Sequence, residues 1–381
     1  MTTYEVLFAF LRNEIAGVPL PDMRDVVIDE VALLRLASKH SLSHLLIGPI
    51  DRNGIVISDD FRKKLVKKRK IAVTRDARMA SLSESVKSVF CEKNIDYALL
   101  KGLVVRNLYP ESWMRSNCDM DVLIREEDLD KAIKSLLEFG FTTEGETNYH
   151  DVALVYDDTK LELHFSVKED DERLDKVLGR VWEYLESAGD NEFKAKKEFF
   201  VFHLTAHAAY HFMHGGCGIR PAIDLFLLRK KWDLDRDKLD GLLKESGLTN
   251  FYNALKRLSD IWFDGAMHDK LTLKMQTYIL NGGAFGSKAN AVSARIAGSG
   301  NSKLRYLFKL AFLPYDNMCV LYPSLKKRKI LLPLYYVYRI ITKTFSKKGS
   351  SARKHVEIVK KTEKKRVKVD RSMFNELGLG K

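Results

Sequence analysis

Residues 118–124 (CDMDVLI) alternate polar and apolar side chains in a way that few folds accommodate. Asp119 and Asp121 fall on one face of the predicted strand, because side chains two residues apart in a β-strand point the same way. Their apolar neighbours fall on the other face and require a hydrophobic core beneath them. The segment therefore predicts a sheet with one buried face and one acidic face.

The patterns on both sides of this strand predict a small sheet with helices packed on it. Short apolar runs bounded by turn residues indicate strands, and longer runs with helical spacing indicate helices. The predicted order is a strand over 95–100, a helix over 103–109, the acidic strand, a helix over 126–139, and strands over 141–146, 150–156 and 161–167. The fold class is α+β, a small mixed sheet with helical N-terminal and C-terminal regions.

Changes in composition divide the 381 residues into six predicted regions. These are a helical region over 1–94, the α/β core over 95–170, a helical domain over 171–281, a linker over 282–302, a basic aromatic helical segment over 303–345, and a basic, disordered tail over 346–381. The linker is predicted from its Gly, Ser, Ala and Asn content. The tail has many lysines and few large apolar residues, which predicts disorder or a lone helix.

Positive charge is concentrated at the C-terminal end. Residues 303–381 carry 21 Lys and Arg against 5 Asp and Glu, within a total net charge of +13. Such a cluster favours an anionic partner, either a membrane surface or nucleic acid, although a solvated tail has the same composition. Residues 321–345 mix Leu, Ile and Tyr with Lys and Arg, as interfacial helices do. A helix packed on the body with its lysines extended into solvent fits equally.

The chain has no basic leader and no apolar run near the roughly 20 residues of a spanning helix. Its four cysteines are isolated, which suits a reducing compartment. The expected location is the cytoplasm, either free or at the inner face of the membrane.

A third acid lies on a later predicted strand. Glu162 stands between two leucines, so it faces away from the core. If this strand lies beside the first, Glu162 joins Asp119 and Asp121 in a cluster of three carboxylates. Such a cluster is costly through repulsion and desolvation unless cations compensate it. Mg²⁺ or Mn²⁺ are suitable cations, because hard ions take oxygen ligands and bridge phosphates.

Lys101 and Gly102 connect a predicted strand to a helix. Glycine lets a phosphate approach the backbone, and the N–H groups at a helix start bind anions. Lys101 adds a positive charge, and Arg115 lies in the loop just before the acidic strand. Taken singly, these residues also fit an ordinary turn and a solvated arginine. Together with the acids they predict a pocket for metal and triphosphate.

These residues resemble the polymerase-β-type nucleotidyltransferase superfamily. The resemblance rests on Leu99-Leu100-Lys101-Gly102, Tyr109-Pro110, Arg115, Asp119 to Ile124 and Leu161-Glu162-Leu163-His164. Within it, the chain is most similar to a poorly characterised bacterial family found near surface-polysaccharide genes. It departs from the superfamily pattern at Leu103, which replaces a small residue, and in the sixteen residues between Gly102 and Asp119.

The resemblance implies a reaction. Asp119 and Asp121 would bind two Mg²⁺ or Mn²⁺ ions, and Glu162 would bind the acceptor-side ion and help deprotonate an acceptor hydroxyl. That oxygen would attack the α-phosphate of an NTP such as ATP and release pyrophosphate. The implied acceptor is a hydroxyl of a small molecule, a sugar or a protein.

Two other functions are compatible with the same strand. A glycosyltransferase also uses D-x-D to hold a metal and a nucleotide sugar, although helices rather than a Rossmann-like half precede the motif here. The other is a non-catalytic, membrane-associated scaffold with a degenerate site, although Asp119, Asp121 and Glu162 are intact.

Histidines recur along the predicted helix over 198–213 and its end. They are His203, His207, His211 and His214. Two histidines four apart can bind zinc, but the H-E-x-x-H pattern is missing. The alternative is a hydrogen-bonded row that lines a cleft together with His164. The resemblance supports the cleft and adds Arg220, predicted to pair with Asp224 or to contact substrate.

Overall fold

The computed structural model describes residues 1–117, 119–144, 150–300, 302–345 and 350–380. Cys118, which begins the predicted acidic strand, lies outside the described residues. So do residues 145–149, which include the end of the strand predicted over 141–146, and residues 346–349 of the predicted tail. The chain forms two compact units, one of Met1–Tyr210 with Ile219–Asp269 and one of His211–Gly218 with Lys270–Lys381.

The first unit contains a mixed seven-stranded sheet. Its strands are β1 Tyr97–Leu99, β2 Asp119–Ile124, β3 Thr142–Thr143, β4 Asp151–Tyr156, β5 Thr159–His164, β6 Leu185–Gly189 and β7 Glu192–Ala195. Their order in the sheet is β3-β4-β5-β2-β1-β7-β6. The β2–β5 and β1–β7 pairs are parallel and the other pairs antiparallel. The predicted α+β class with helical flanks is confirmed.

Helices of the first unit precede, interrupt and follow the sheet. They are α1 Thr3–Ala16, α2 Glu30–Lys39, α3 Ile47–Arg52, α4 Asp59–Glu92, α5 Lys101–Val105, α6 Leu129–Phe139, α7 Glu172–Leu178, α8 Lys197–Met213, α9 Arg220–Lys231, α10 Arg236–Glu245 and α11 Thr249–Phe263. Helix α8 enters the second unit at His211. Single 3₁₀ turns lie at Ser43–Leu45, Arg106–Leu108, Ser112–Met114, Glu126–Asp128 and Val181–Tyr184.

One face of the sheet carries the hydrophobic core. Residues of the 34-residue helix α4 and of α6 pack there on the apolar side chains of the strands. Helix α4 begins where the Ser58 hydroxyl accepts a hydrogen bond from the Phe61 N–H, and it contains no Gly or Pro. Met120, Val122 and Ile124 belong to this core. Asp119 and Asp121 therefore lie on the opposite face, as the alternation predicts.

Strands β6 and β7 lie in the region predicted to be helical after residue 170. They form a hairpin that joins the sheet beside β1, so the sheet extends beyond the predicted core boundary. The hairpin is mostly exposed and therefore lacks an apolar alternation. Its signal in the sequence is the turn at Asp190-Asn191, where Asp190 adopts a φ of +43°.

The regular elements described in the second unit are all helices. Its helices are α12 Lys270–Gly282, α13 Lys288–Ala297, α14 Lys303–Ala311, α15 Tyr315–Leu321, α16 Leu332–Phe345, α17 Ser350–Lys361 and α18 Lys364–Glu376, with 3₁₀ turns at Pro323–Lys326 and Lys329–Leu331. No helix in the described part of the chain is both long enough and apolar enough to span a bilayer.

Two expectations for this unit differ from the structure. The predicted linker over 282–302 contains α13, whose Val292 and Ile296 are buried. The predicted disordered tail forms α17 and α18, and Val359, Val367 and Phe374 are buried there. Most apolar residues of α17 and α18 lie on the inner faces of these helices, and the lysines described there are exposed. Low hydrophobicity therefore did not prevent packing.

Candidate active site

Two of the three predicted acids, Asp121 and Glu162, supply ligand atoms to one cluster where β2 and β5 run side by side, and this cluster does not include Asp119. In this parallel pair Asp121 lies opposite Glu162, and Asp119 lies opposite Lys160. Ligand atoms of Asp121, Glu162 and His164 all lie within 4.8 Å of one another. The structure therefore brings together on one face side chains that are separated by about forty residues of sequence, as the element order suggested.

Asp121 is the most enclosed acid of this group. Its Oδ1 accepts hydrogen bonds from Lys101 Nζ at 2.8 Å and from His164 Nε2 at 2.9 Å. Burial opposes ionisation of Asp121, but Lys101 and His164 hold its pKa well below the usual range. Asp121 is thus ionised at neutral pH. The Lys101 ammonium contacts the carboxylate oxygen with which Asp121 would bind a metal ion.

Lys101 reaches this position through an unusual backbone conformation. Its φ is +41°, a region that residues with a Cβ rarely adopt. Such a conformation costs about 1–3 kcal/mol, and the surrounding contacts must compensate for it. Burial lowers the pKa of Lys101, but Asp121 overcomes this effect, and the net pKa is raised. The buried ion pair is one contact that compensates for the strain.

The pKa of Asp119 is shifted in the opposite direction from that of Asp121. Burial, followed by the charges of Asp121 and Glu162, raises its pKa to about 6. Lys160 Nζ donates to Glu162 Oε1 at 2.7 Å and partly offsets the negative charge. The cluster is therefore under like-charge repulsion that a divalent cation would relieve. Its donors, carboxylate oxygens with one imidazole nearby, fit Mg²⁺ or Mn²⁺.

Gly102 lies directly against Asn117. A Cβ at Gly102 would lie 2.2 Å from Asn117 Oδ1, so a side chain has no room there. Asn117 Oδ1 is itself held by Arg115 Nη1 at 2.7 Å. The glycine lets the start of α5 approach the loop that leads into β2.

Arg115 makes a different contact from the one predicted. Its Nε and Nη2 donate to Asp224, each at 2.9 Å, in a two-bond ion pair on α9. Tyr109 Oη also donates to Asp224, at 2.6 Å, and Arg220 Nη1 donates to the Ser116 carbonyl at 2.8 Å. The guanidinium of Arg115 therefore fixes the loop through these contacts and does not point free toward a phosphate site. Asp224, which was expected to pair with Arg220, instead binds Arg115.

Two histidines of α8 lie near the acids. Burial first, and then the charge of Lys101, lowers the pKa of His203 to about 3 and that of His207 well below its usual range. Both are therefore neutral at pH 7. His207 Nδ1 lies 2.6 Å from Glu169 Oε1. The clusters of metal-ligating groups found among the described residues include neither His203 nor His207, so nothing in them favours the zinc alternative.

His211 belongs to the second unit, and His214 follows the end of α8. Sequence patterns did not single out Asn117, Lys160 or Glu169. Lys160 could have been found from its spacing, since it lies two residues before Glu162 on the same strand face.

Comparison with known proteins gives one match. A family model described as an uncharacterised nucleotidyltransferase matches residues 27–264. That range contains the whole sheet and every predicted site residue. No curated protein and no solved structure matches the chain.

Proposed function

The chain belongs to this uncharacterised nucleotidyltransferase family, and from that premise we propose that it transfers a nucleoside monophosphate from an NTP to a hydroxyl acceptor, releasing pyrophosphate. The observation that carries the proposal is the parallel pairing of β2 with β5, which sets Glu162 beside Asp121. An acid cluster of this kind, with a buried lysine against it, suits metal-dependent phosphoryl chemistry.

Each acid has a proposed role. Asp119 and Asp121 would hold two divalent ions, Mg²⁺ or Mn²⁺, and Glu162 would hold the ion on the acceptor side. When bound, such ions neutralise the triphosphate and stabilise charge on the transferred phosphoryl group. Glu162 assists removal of the proton from the acceptor hydroxyl. The acceptor oxygen then forms a bond to the α-phosphorus, and the bond to the β-phosphate oxygen breaks.

Lys101 has a proposed role in both the free and the loaded site. In the free chain it donates to Asp121 Oδ1 at 2.8 Å and supplies the positive charge that a cation would supply. With a cation held by Asp121, the Lys101 ammonium would be free to bind the triphosphate beside the backbone of Gly102. Arg115 keeps the loop before β2 in place through Asp224. His164, His203 and His207 line the cleft.

The acceptor is proposed only by its chemistry. A hydroxyl of a small molecule, a sugar or a protein suits the general-base role of Glu162. The resemblance to a family found near surface-polysaccharide genes favours a sugar, in the cytoplasm or at the inner membrane face.

The proposal is tested by incubating the full chain with each α-labelled NTP, Mg²⁺ or Mn²⁺ and a panel of sugars and proteins. Formation of pyrophosphate together with labelled acceptor is expected. Asp119→Ala with Asp121→Ala should abolish both signals. Glu138→Gln, an exposed substitution on α6, should leave them unchanged.

Three outcomes contradict the proposal. Persistence of transfer in the double variant places the chemistry elsewhere. Transfer from a nucleotide sugar, but not from an NTP, favours the D-x-D glycosyltransferase. Absence of transfer from both donors, with the NTP bound, favours the non-catalytic scaffold.

A further inference from the structure

His164 has one ring nitrogen with a partner and one without. Nε2 lies 2.9 Å from Asp121 Oδ1, which also accepts from Lys101 Nζ. A carboxylate paired with a buried ammonium is ionised and can only accept, so His164 donates from Nε2. The ring nitrogen left to bind a cation is then Nδ1. This atom is buried and has no hydrogen-bond partner among the described residues.

Two further residues that can bind a metal ion lie next to His164. Asp151 is opposite it in the antiparallel β4–β5 pair and is buried, and His150 precedes Asp151. The rings of His150 and His164 are 6.0 Å apart, and His150 Nε2 lies 2.9 Å from Asp151 Oδ2. One ligand atom from each of the three residues lies within 4.8 Å of the other two.

We propose that His150, Asp151 and His164 form a site for a transition-metal cation of the zinc class. Two imidazoles and a carboxylate are ligands that such ions prefer over Mg²⁺. Bonds of about 2.1 Å put tetrahedral ligand atoms about 3.4 Å apart, so side-chain movements of about 1 Å bring the three groups to the ion. Asp121 then acts as the carboxylate that receives the other N–H of a metal-ligating histidine and fixes its orientation.

This site is distinct from the carboxylate cluster of the proposed function. It uses Asp151 and two histidines, whereas the proposed NTP site uses Asp119, Asp121 and Glu162. His164 connects the two sites, because its Nε2 lies 2.9 Å from Asp121 Oδ1 and 3.7 Å from Glu162 Oε2. Binding of the metal does not require that the chain transfer nucleotides, so the two proposals can fail separately.

The test is a titration of the metal-depleted full chain with Co²⁺ in excess Mg²⁺, followed by its visible d–d absorption. One Co²⁺ per chain with histidine-type absorption is expected. His150→Ala and Asp151→Asn should each weaken binding by tenfold or more. Asp119→Asn and the exposed His214→Ala should leave the titration unchanged, and circular dichroism verifies that every variant is folded.

Two results overturn the metal site. Equal Co²⁺ binding by wild type, His150→Ala and Asp151→Asn excludes these ligands. Loss of the signal in Asp119→Asn, with His150→Ala unaffected, assigns the ion to the carboxylate cluster instead. Transfer activity is measured on the same samples, so a lost metal site and a lost activity are told apart.

An independent observation concerns the basic aromatic segment over 303–345. Helix α16 exposes Leu334, Val337, Tyr338 and Ile341, which recur at helical spacing along one face. In and just after α14, Leu304, Phe308 and Phe312 are exposed with a similar spacing. Runs of exposed apolar residues of this kind indicate an interaction surface.

The two helices are fixed to each other. Arg339 Nη1 of α16 donates to the carbonyls of Leu310 at 2.8 Å and Ala311 at 3.0 Å. The rings of Phe312 and Tyr336 are 5.2 Å apart. The exposed side chains therefore belong to one packed scaffold.

The positive charge of this segment indicates the class of its partner. Residues 303–345 contain nine Lys and Arg and one acidic residue, and Lys326, Lys327, Arg328 and Lys329 are exposed in sequence. We infer that this surface docks on an anionic lipid bilayer, with its apolar residues in the interface and its cations at the headgroups. Nucleic acid would use the charge but not the apolar stripes.

Vesicle flotation of the full chain tests this surface. We expect binding to vesicles that contain phosphatidylglycerol and little binding to pure phosphatidylcholine. Val337→Asp and the pair Lys326→Glu, Lys327→Glu should each reduce binding several-fold. Val27→Asp, at a position 91% exposed in the first unit, should not.

Two outcomes overturn membrane docking. Equal flotation of wild type and Val337→Asp removes the apolar surface from the interaction. Tight binding to single-stranded RNA or duplex DNA, without binding to anionic vesicles, assigns the basic surface to nucleic acid.

Discussion

Gly102 and its neighbour Asn117 show how a single residue fixes the geometry of the candidate site. The position needs a glycine because a side chain would strike Asn117, and Asn117 is held by Arg115. The sequence suggested the glycine on the grounds that a phosphate approaches it. The structure adds a packing reason that no local pattern contains, since Asn117 lies fifteen residues later.

Gly102→Ala should lower the free energy of unfolding by ~1–3 kcal/mol, because the new methyl group displaces the Asn117 amide. Chemical denaturation measures the change. Gly241→Ala is the matched control: nothing lies within 4 Å of a Cβ there, and alanine should stabilise helix α10 by about 0.5–1 kcal/mol. Asn117→Ala should relieve the cost of Gly102→Ala; additive losses in the double variant would rule out the clash.

The raised pKa of Asp119 predicts a pH dependence of stability. The folded chain keeps this proton to about pH 6, whereas an unfolded aspartate loses it near ~3.9. Within that window the folded state binds more protons, so the free energy of unfolding falls as the pH rises. Asp119→Asn removes this loss and should gain stability relative to wild type from about pH 4.5 to about pH 7.

Urea unfolding in EDTA measures this difference, and Asp233→Asn, at an exposed site, should show none. A constant difference between wild type and Asp119→Asn across the pH range would show that Asp119 titrates normally.

Among the elements, those with regular alternation or helical spacing could be predicted, and those built from polar residues could not. Strand β2 and helix α8 follow their sequence patterns closely. The hairpin β6–β7 is too exposed to alternate. The packing of helix α18 could not be predicted because lysines and Asp370 interrupt its apolar stripe. Asp370 is nevertheless buried and accepts a hydrogen bond from Ser293.

Val367→Asp tests whether α18 is a packed element. Val367 is 2% exposed, so an unpaired carboxylate there should lower the free energy of unfolding of the second unit by roughly 3 kcal/mol. Val369, two residues later, is 41% exposed, and Val369→Asp should have little effect. Protease susceptibility of residues 350–380 in the two variants measures the difference; equal susceptibility would argue for an unstructured tail.

In the whole molecule, the proposed chemistry and the proposed membrane surface belong to different units. The family match ends at residue 264, and the second unit begins its main segment at Lys270. The ion pair between Arg115 and Asp224 joins two segments that are 109 residues apart in the sequence. Sequence patterns named both residues but not their pairing, because local periodicity carries no information about partners so far apart.

The proposed exchange of Lys101 for a cation predicts how metal acts on the stability of the whole chain. In Lys101→Met the buried carboxylate of Asp121 loses its ammonium, which should cost about 3–5 kcal/mol without metal. Mn²⁺ supplies the missing charge, so it should stabilise Lys101→Met more than wild type. Thermal unfolding with and without Mn²⁺ measures this, with the exposed Lys134→Met as control. Equal stabilisation of wild type and Lys101→Met would show that the lysine does not occupy the place of a cation.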